Sequence, residues 1–165
     1  MKTLAIYPGT FDPVTRGHFD LIRRARKIFS RLIIAVAADT HKQAFFSLDE
    51  RIKLLNKATK HLDRVEVESF SGLLVEYMRK RKAQVALRGL RAISDFEYEF
   101  QLALMNRKLY PEFEIIYMMP DERYTYISSS LIKEIASLGG GIKDLVPNSI
   151  HDFIIKKFQA KRKVG

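Results

Sequence analysis

The amino-acid sequence predicts an α/β fold, a mostly parallel sheet covered by helices on both faces. Apolar runs of strand length alternate with segments of helical spacing almost throughout the chain. The strand-like runs are apolar on both faces, which is the pattern of parallel strands buried from above and below. At 165 residues the chain suits one domain over 1–165, and such a length buries about 70% of its unfolded surface without a disulfide or metal staple.

Taken in order, residues 4–7 read as a short buried strand that runs into a Gly/Pro loop. From 18 to 29, Phe19, Ile22, Ala25, Ile28 and Phe29 recur at helical spacing. A second strand follows over 32–38. Ser47-Leu48-Asp49-Glu50 has the form of a capping box and opens a helix carrying Ile52, Leu55 and Ala58. Residues 65–67 form a brief strand, 72–82 a helix with Leu74, Tyr77 and Met78, and 85–87 a fourth strand. Ser94-Asp95-Phe96-Glu97 is a second capping box that starts a helix to about Leu109. The fifth strand spans 114–119. A helix then follows Ser128, Ser129 and Ser130 and stops at Gly139-Gly140-Gly141, a helix C-cap. The last helix begins near Asn148 and gives way to a basic tail over 159–165.

The chain has no cysteine, which removes disulfides, thiolate metal sites and a cysteine nucleophile together and fits a reducing, cytoplasmic compartment. The apolar run after Lys2 is too short for a signal peptide or a membrane span. A net charge of +10 favours anionic partners. Much of the excess lies in three runs: Arg23, Arg24, Arg26, Lys27 and Arg31; then 79–82; then Lys156, Lys157, Lys161, Arg162 and Lys163. Cations near helix C-termini suit the helix dipole, so solvated helix faces explain these runs more simply than a nucleic-acid surface. The expectation is no nucleic-acid and no membrane partner.

In open parallel sheets, ligands bind beyond the carboxyl ends of the strands. After the first strand come Gly9, Thr10, Phe11, Asp12 and Pro13, then Thr15, Arg16, Gly17 and His18 at the start of a helix, where unpaired N–H groups attract phosphate. An imidazole at that place donates to a phosphate oxygen, more strongly once protonated, though a surface histidine at a helix start is an equal reading of this segment alone. Asp12 reads as part of a plain turn. After the fourth strand, Arg88-Gly89-Leu90-Arg91 offers two guanidinium forks for phosphate, with ion pairs to Asp95, Glu97 or Glu99 as the alternative. Ser128, Ser129 and Ser130 serve equally as helix caps or as an anion cradle, and Lys42 adds a mobile charge after the second strand. No acidic pair, no Ser-His-Asp set and no metal-ligand spacing among His18, His41, His61 and His151 accompanies them, and neither glycine-rich nucleotide loop is present. A site made of donors without a base suits a nucleophile that is already an anion, such as a phosphate monoester attacking a nucleoside triphosphate.

Gly9-Thr10-Phe11-Asp12-Pro13, Thr15-Arg16-Gly17-His18, Arg88-Gly89-Leu90-Arg91-Ala92, Asp95-Phe96-Glu97-Tyr98-Glu99 and Ile127-Ser128-Ser129-Ser130 together resemble the bacterial phosphopantetheine adenylyltransferases, with matching spacing to about Phe158. The Thr-x-Gly-His segment alone marks only the wider nucleotidyltransferase superfamily; the arginine and Asp-Phe-Glu-Tyr-Glu segments narrow it. The resemblance implies a Rossmann-like, doubly wound, five-stranded parallel sheet with C-terminal helices, assembled as a homohexamer. It implies transfer of AMP from ATP to 4′-phosphopantetheine, giving dephospho-CoA and pyrophosphate, with Mg2+ accompanying the nucleotide and CoA as feedback inhibitor. It further implies that His18, Thr10, Lys42 and Arg91 form the catalytic group. Thr10, Phe11, His18, Gly89, Leu90, Arg91, Glu99, Tyr124, Thr125, Tyr126, Ile127, Ser128, Ser129 and Ser130 would hold ATP, and Thr10, Lys42, Leu74 and Arg88 would hold phosphopantetheine. The loop over 39–44 departs from the family in lacking its proline and paired lysines, and the tail after Phe158 lies outside the resemblance.

Overall fold

The computed structural model of the chain describes residues 3–39, 43–91 and 93–162, and for 93–95 the backbone alone. Five strands, β1 (Leu4–Gly9), β2 (Arg31–Ala37), β3 (Val65–Phe70), β4 (Val85–Gly89) and β5 (Glu114–Met118), pair in parallel in the order β3-β2-β1-β4-β5. Six helices accompany them: α1 (Arg16–Ile28), α2 (Leu48–Thr59), α3 (Leu74–Lys80), α4 (Ile93–Leu109), α5 (Ser129–Ser137) and α6 (Asn148–Arg162). This is the Rossmann-like arrangement expected.

The period-2 alternation of the strands sorts their side chains between two cores. Ala5, Tyr7, Leu32, Ile34 and Val36 face one way, where α1, α2, α5 and α6 supply Leu21, Ile22, Leu54, Leu55, Ile132, Ile150 and Ile154. Ile6, Ile33 and Ala35 face the other way, against Val75 and Met78 of α3. Each of these large side chains contributes on the order of 1.5–3 kcal/mol on burial, which is why the central strands read as unbroken apolar runs.

Local chemistry sets the helix ends. Ser47 and Glu50 form the expected capping box, Ser47 N–H donating to Glu50 Oε2 at 2.8 Å and Glu50 N–H to Ser47 Oγ at 3.3 Å. Gly139, at φ +86°, ends α5 as the glycine run predicts: Gly140 N–H donates to Ile135 O at 2.8 Å and Gly139 N–H to Ala136 O at 3.2 Å.

Four expectations need adjustment. β1 continues past Tyr7 to Gly9, because only its β2 side stays paired: Pro8 and Gly9 match Ala35 and Val36, whereas pairing to β4 covers only Ala5 and Ile6. A proline is admissible there because its missing N–H leaves no ladder position empty on the side where β1 and β4 have already parted. β3 extends to Phe70 through Glu68 and Ser69, polar residues that an edge strand tolerates; Glu66 takes two hydrogen bonds from Arg31 at 2.6 and 2.7 Å. α4 begins at Ile93, one residue ahead of the serine of the second capping pattern. Finally, residues 159–162 belong to α6 and not to a tail. Phe158 stacks on Phe45 with centroids 4.1 Å apart, and Lys161 Nζ lies 4.9 Å from the same ring, so the last helical turn has a surface to rest on.

All three basic runs have described members tied down on the surface, Lys157 of the last pairing with Glu50. Arg24 reaches Asp20 at 3.1 Å, Arg26 pairs with Asp63, Arg79 with Glu76 at 2.8 Å and Arg81 with Glu68. Among the described residues no helix is long and apolar enough to cross a membrane.

Candidate active site

Strands β1 and β4 are the two neighbours at which the sheet order reverses direction, and they diverge after Ile6 and Ala86. A cleft of about 1010 Å3 opens beyond their carboxyl ends, at the switch point where such sheets bind ligands. Thr10, Phe11, His18, Leu74, Arg88, Gly89, Arg91, Glu99, Ile127, Ser128, Ser129 and Ser130 all line it. Leu90, Tyr124, Thr125 and Tyr126 do not. Leu90 N–H continues the pairing to Met118 O at 3.1 Å. Tyr124 packs on the core in a 3₁₀ turn (Glu122–Tyr124), the Thr125 hydroxyl donates to Glu122 O at 2.9 Å, and Tyr126 stands exposed. Lys42 lies outside the described residues.

His18 is the third residue of α1, and Thr15 caps that helix. His18 N–H donates to Thr15 Oγ1 at 3.2 Å, while Thr15 N–H donates back to His18 Nδ1 at 3.1 Å. The imidazole thus fills the place of the glutamate in a capping box. Because Nδ1 accepts this bond, a neutral ring carries its proton on Nε2. The ring rests on Phe11, with centroids 5.1 Å apart, and Phe11 in turn meets Tyr7 edge-on at 5.3 Å. Burial in the cleft floor, then the Arg91 and Arg88 guanidiniums, push the His18 pKa from 6.5 down to about 4. The site therefore holds a neutral donor at physiological pH, not the imidazolium that the sequence left open.

Phe11 is itself buried, at φ +51°, with its ring packed against Tyr7 and His18. Gly9 is small for a related reason: a Cβ there would sit 2.9 Å from the Phe11 ring. The Thr10 side chain is exposed in the cleft while its carbonyl accepts from Arg51 Nη1 at 2.9 Å.

Arg88 and Glu99 form an ion pair. Arg88 Nε lies 3.2 and 3.0 Å from the two Glu99 oxygens, Nη2 bonds to Oε1, and Nη1 donates to Pro8 O at 3.3 Å. Glu99 lines the cleft, yet its carboxylate is engaged by Arg88, and Tyr117 OH fixes its backbone carbonyl at 2.9 Å. Arg91 Nη1 donates to Ile127 O at 3.3 Å, which joins the β4 exit to the start of α5. There Ser128 Oγ accepts from Leu131 N–H at 3.1 Å as the N-cap, Ser129 Oγ donates to Pro13 O at 2.7 Å, and Ser130 is exposed. The serines act both as caps and as cleft wall.

Four functional positions escaped the reading of the sequence. Thr15 sets the imidazole tautomer; its spacing of three residues before His18 is a capping-box signal with histidine in the acidic place. Asp12, read as a plain turn, is 4% exposed and bonded on both oxygens. Burial alone would raise its pKa, but the Lys133 ammonium and the N–H groups of Phe46 and Phe45 hold it below the usual carboxylate value. Lys133 lies one helical turn after Ser129, a spacing that puts both on one face of α5. Arg51 is buried in α2, with Nη1 on Thr10 O and Ala37 O at 2.9 and 2.8 Å, and only tertiary structure reveals it.

The chain has parallels among known proteins. The cytidylyltransferase-like family matches residues 6–135. The phosphopantetheine adenylyltransferase of Thioalkalivibrio sulfidiphilus is 55% identical over 150 residues, covering 91% of this chain and 94% of that protein. That of Clostridium botulinum strain 657 is 49% identical over 162 residues, covering 98% of each. The crystal structure of a bifunctional NMN adenylyltransferase/ADP ribose pyrophosphatase from Francisella tularensis shares the fold, with a TM-score of 0.73 at 15% identity; it covers 99% of this chain, which spans 54% of that longer one. A match to the wider family over most of the chain, with near-full-length identity of about half to enzymes of one activity, leaves one assignment: the chain belongs to the phosphopantetheine adenylyltransferases of the cytidylyltransferase-like family.

Proposed function

We propose that this enzyme transfers AMP from ATP to 4′-phosphopantetheine, giving dephospho-CoA and pyrophosphate, by positioning two anions and not by deprotonating either. The observation that carries the mechanism is a single cleft ringed by donors whose described carboxylates are all engaged: Asp12 by Lys133, Asp39 by Gly72 N–H at 2.8 Å, and Glu99 by Arg88. A phosphate monoester loses its second proton near pH 6, so its oxygen needs no base to attack the ATP α-phosphorus. The bond to that oxygen forms as the bond from the α-phosphorus to the bridging oxygen breaks, and pyrophosphate leaves. His18 Nε2–H meets charge growing on the α-phosphate, and Thr10 lies beside it. Arg91 and the serine-led N-terminus of α5 hold the triphosphate, while Arg88 and Leu74 hold phosphopantetheine.

Mg2+ would come with the nucleotide. Among the described residues no three acidic or histidine side chains gather to cage an ion, a donor set that fits a metal carried on phosphate oxygens; when bound, it neutralises charge on the pyrophosphate. CoA contains both product halves and would compete for the same cleft as an inhibitor. A cytoplasmic location accords with the absence of cysteine. Assembly into a homohexamer is supported by α4, which leaves Phe96, Tyr98, Phe100, Leu104, Met105 and Leu109 exposed.

The decisive assay mixes purified enzyme, ATP and Mg2+ with 4′-phosphopantetheine, nicotinamide mononucleotide or glycerol 3-phosphate, and measures pyrophosphate and adenylylated product. Turnover with phosphopantetheine alone is expected. Preferred turnover with either other acceptor would overturn the substrate assignment.

A further inference from the structure

A buried side chain bonded on both oxygens at the cleft belongs to a residue with no part in the chemistry above. Asp12 Oδ1 accepts from Phe46 N–H at 2.8 Å, and Oδ2 accepts from Phe45 N–H at 3.0 Å and from Lys133 Nζ at 2.6 Å. These partners come from two chain segments remote from the β1–α1 loop: the approach to α2, and α5. Three further bonds run parallel to the clamp. Ser129 Oγ donates to Pro13 O at 2.7 Å, and Arg51 Nη1 joins Thr10 O to Ala37 O at the end of β2. The segments so joined all face the cleft, through Thr10, through Gln43 and Ala44, and through Ser129 and Ser130.

We infer that Asp12 is a positioning residue: its carboxylate clamps the 43–46 segment and helix α5 to the loop after β1, giving the anion-facing walls one fixed geometry. The inference rests on the adenylyl-transfer reading above. A buried carboxylate is costly unless paired and hydrogen-bonded, and here its bonds are divided between two walls, two to the 43–46 segment and one to α5. Both of its oxygens are engaged by these donors. Displacing reacting groups by about 1 Å costs on the order of 10²-fold in rate, so a clamp that sets wall spacing acts on turnover more than on folding.

The test compares Asp12→Asn, Lys133→Met, Lys133→Arg and the Asp12→Asn/Lys133→Met double variant by steady-state kinetics, ATP binding and amide hydrogen exchange. Asparagine retains an acceptor for Phe46 but turns an amide NH2 toward Phe45 N–H and Lys133. Asp12→Asn should lower kcat about 10²-fold, and Phe45 should lose exchange protection while Ile33 and Ile34 keep theirs. Lys133→Arg should recover most of the kcat that Lys133→Met loses. The double variant should be no worse than the poorer single variant by more than about 2–3-fold, because both break one clamp. Multiplying losses would assign Lys133 to the ligand directly and overturn the proposal, as would unchanged kcat beside lost protection. If Asp12→Asn fails to fold, Lys133→Met alone decides, by whether Phe45 and Phe46 protection falls with kcat. If the wild-type protein makes no dephospho-CoA, the functional reading fails on that arm, while exchange and ATP binding still judge the clamp.

Discussion

At the residue scale, the account turns on a histidine kept uncharged. Thr15 occupies Nδ1, so the proton faces the cleft from Nε2, and burial with two guanidiniums nearby keeps a second proton off until about pH 4. His18→Ala should lower kcat by 10²–10³, or about 3–4 kcal/mol of transition-state stabilisation, with ATP binding and melting temperature largely retained; near-wild-type turnover would remove the assigned role. The same pKa bears on stability. Between 6.5 and about 4 the unfolded chain protonates this histidine and the folded one does not, so native stability is lost as pH falls through that window. Melting temperatures measured from pH 7 to pH 5 should therefore drop less for His18→Gln than for wild type.

At the element scale, the opening between β1 and β4 creates the site. Pro8 sits where pairing to β4 has ceased, and Gly9 leaves room for the Phe11 ring that supports His18. Gly9→Ala should force that ring off its seat, at a cost of about 1–3 kcal/mol in stability and with kcat reduced further than the melting temperature implies. Equal stability and activity to wild type would show the contact to be slack. The elements were the most legible part of the sequence. Capping boxes, glycine stops and apolar runs are local signals, and they located β2, α2, the end of α5 and the start of α6. What stayed hidden depends on distant partners: Arg51, on one carbonyl in the loop after β1 and one at the end of β2, and the division of the 124–130 stretch between cleft wall and core packing. His18, Arg88, Arg91 and Ser129 could be listed as donors from sequence, but their sharing one cleft required the strand order.

At the scale of the whole molecule, a strongly basic chain keeps much of its described charge in ion pairs across its surface, and its guanidinium forks at the cleft. Helix α4 exposes more large apolar side chains than any other described helix, Phe96 stacking on Phe100 at 5.9 Å among them. Sedimentation tests the homohexamer proposed above: a particle of about six chains is expected, and Leu104→Glu with Met105→Glu should reduce it; a wild-type monomer would contradict this assignment of the helix.

The claim beneath all of these is that one ring of donors receives both reactants. A crystal structure with a non-hydrolysable ATP analogue tests it most directly. The account predicts an α-phosphate oxygen within hydrogen-bonding distance of His18 Nε2 and the triphosphate reaching Arg91 and the N-terminus of α5. An analogue bound elsewhere on the molecule, or an imidazole turned to offer Nδ1, would contradict it.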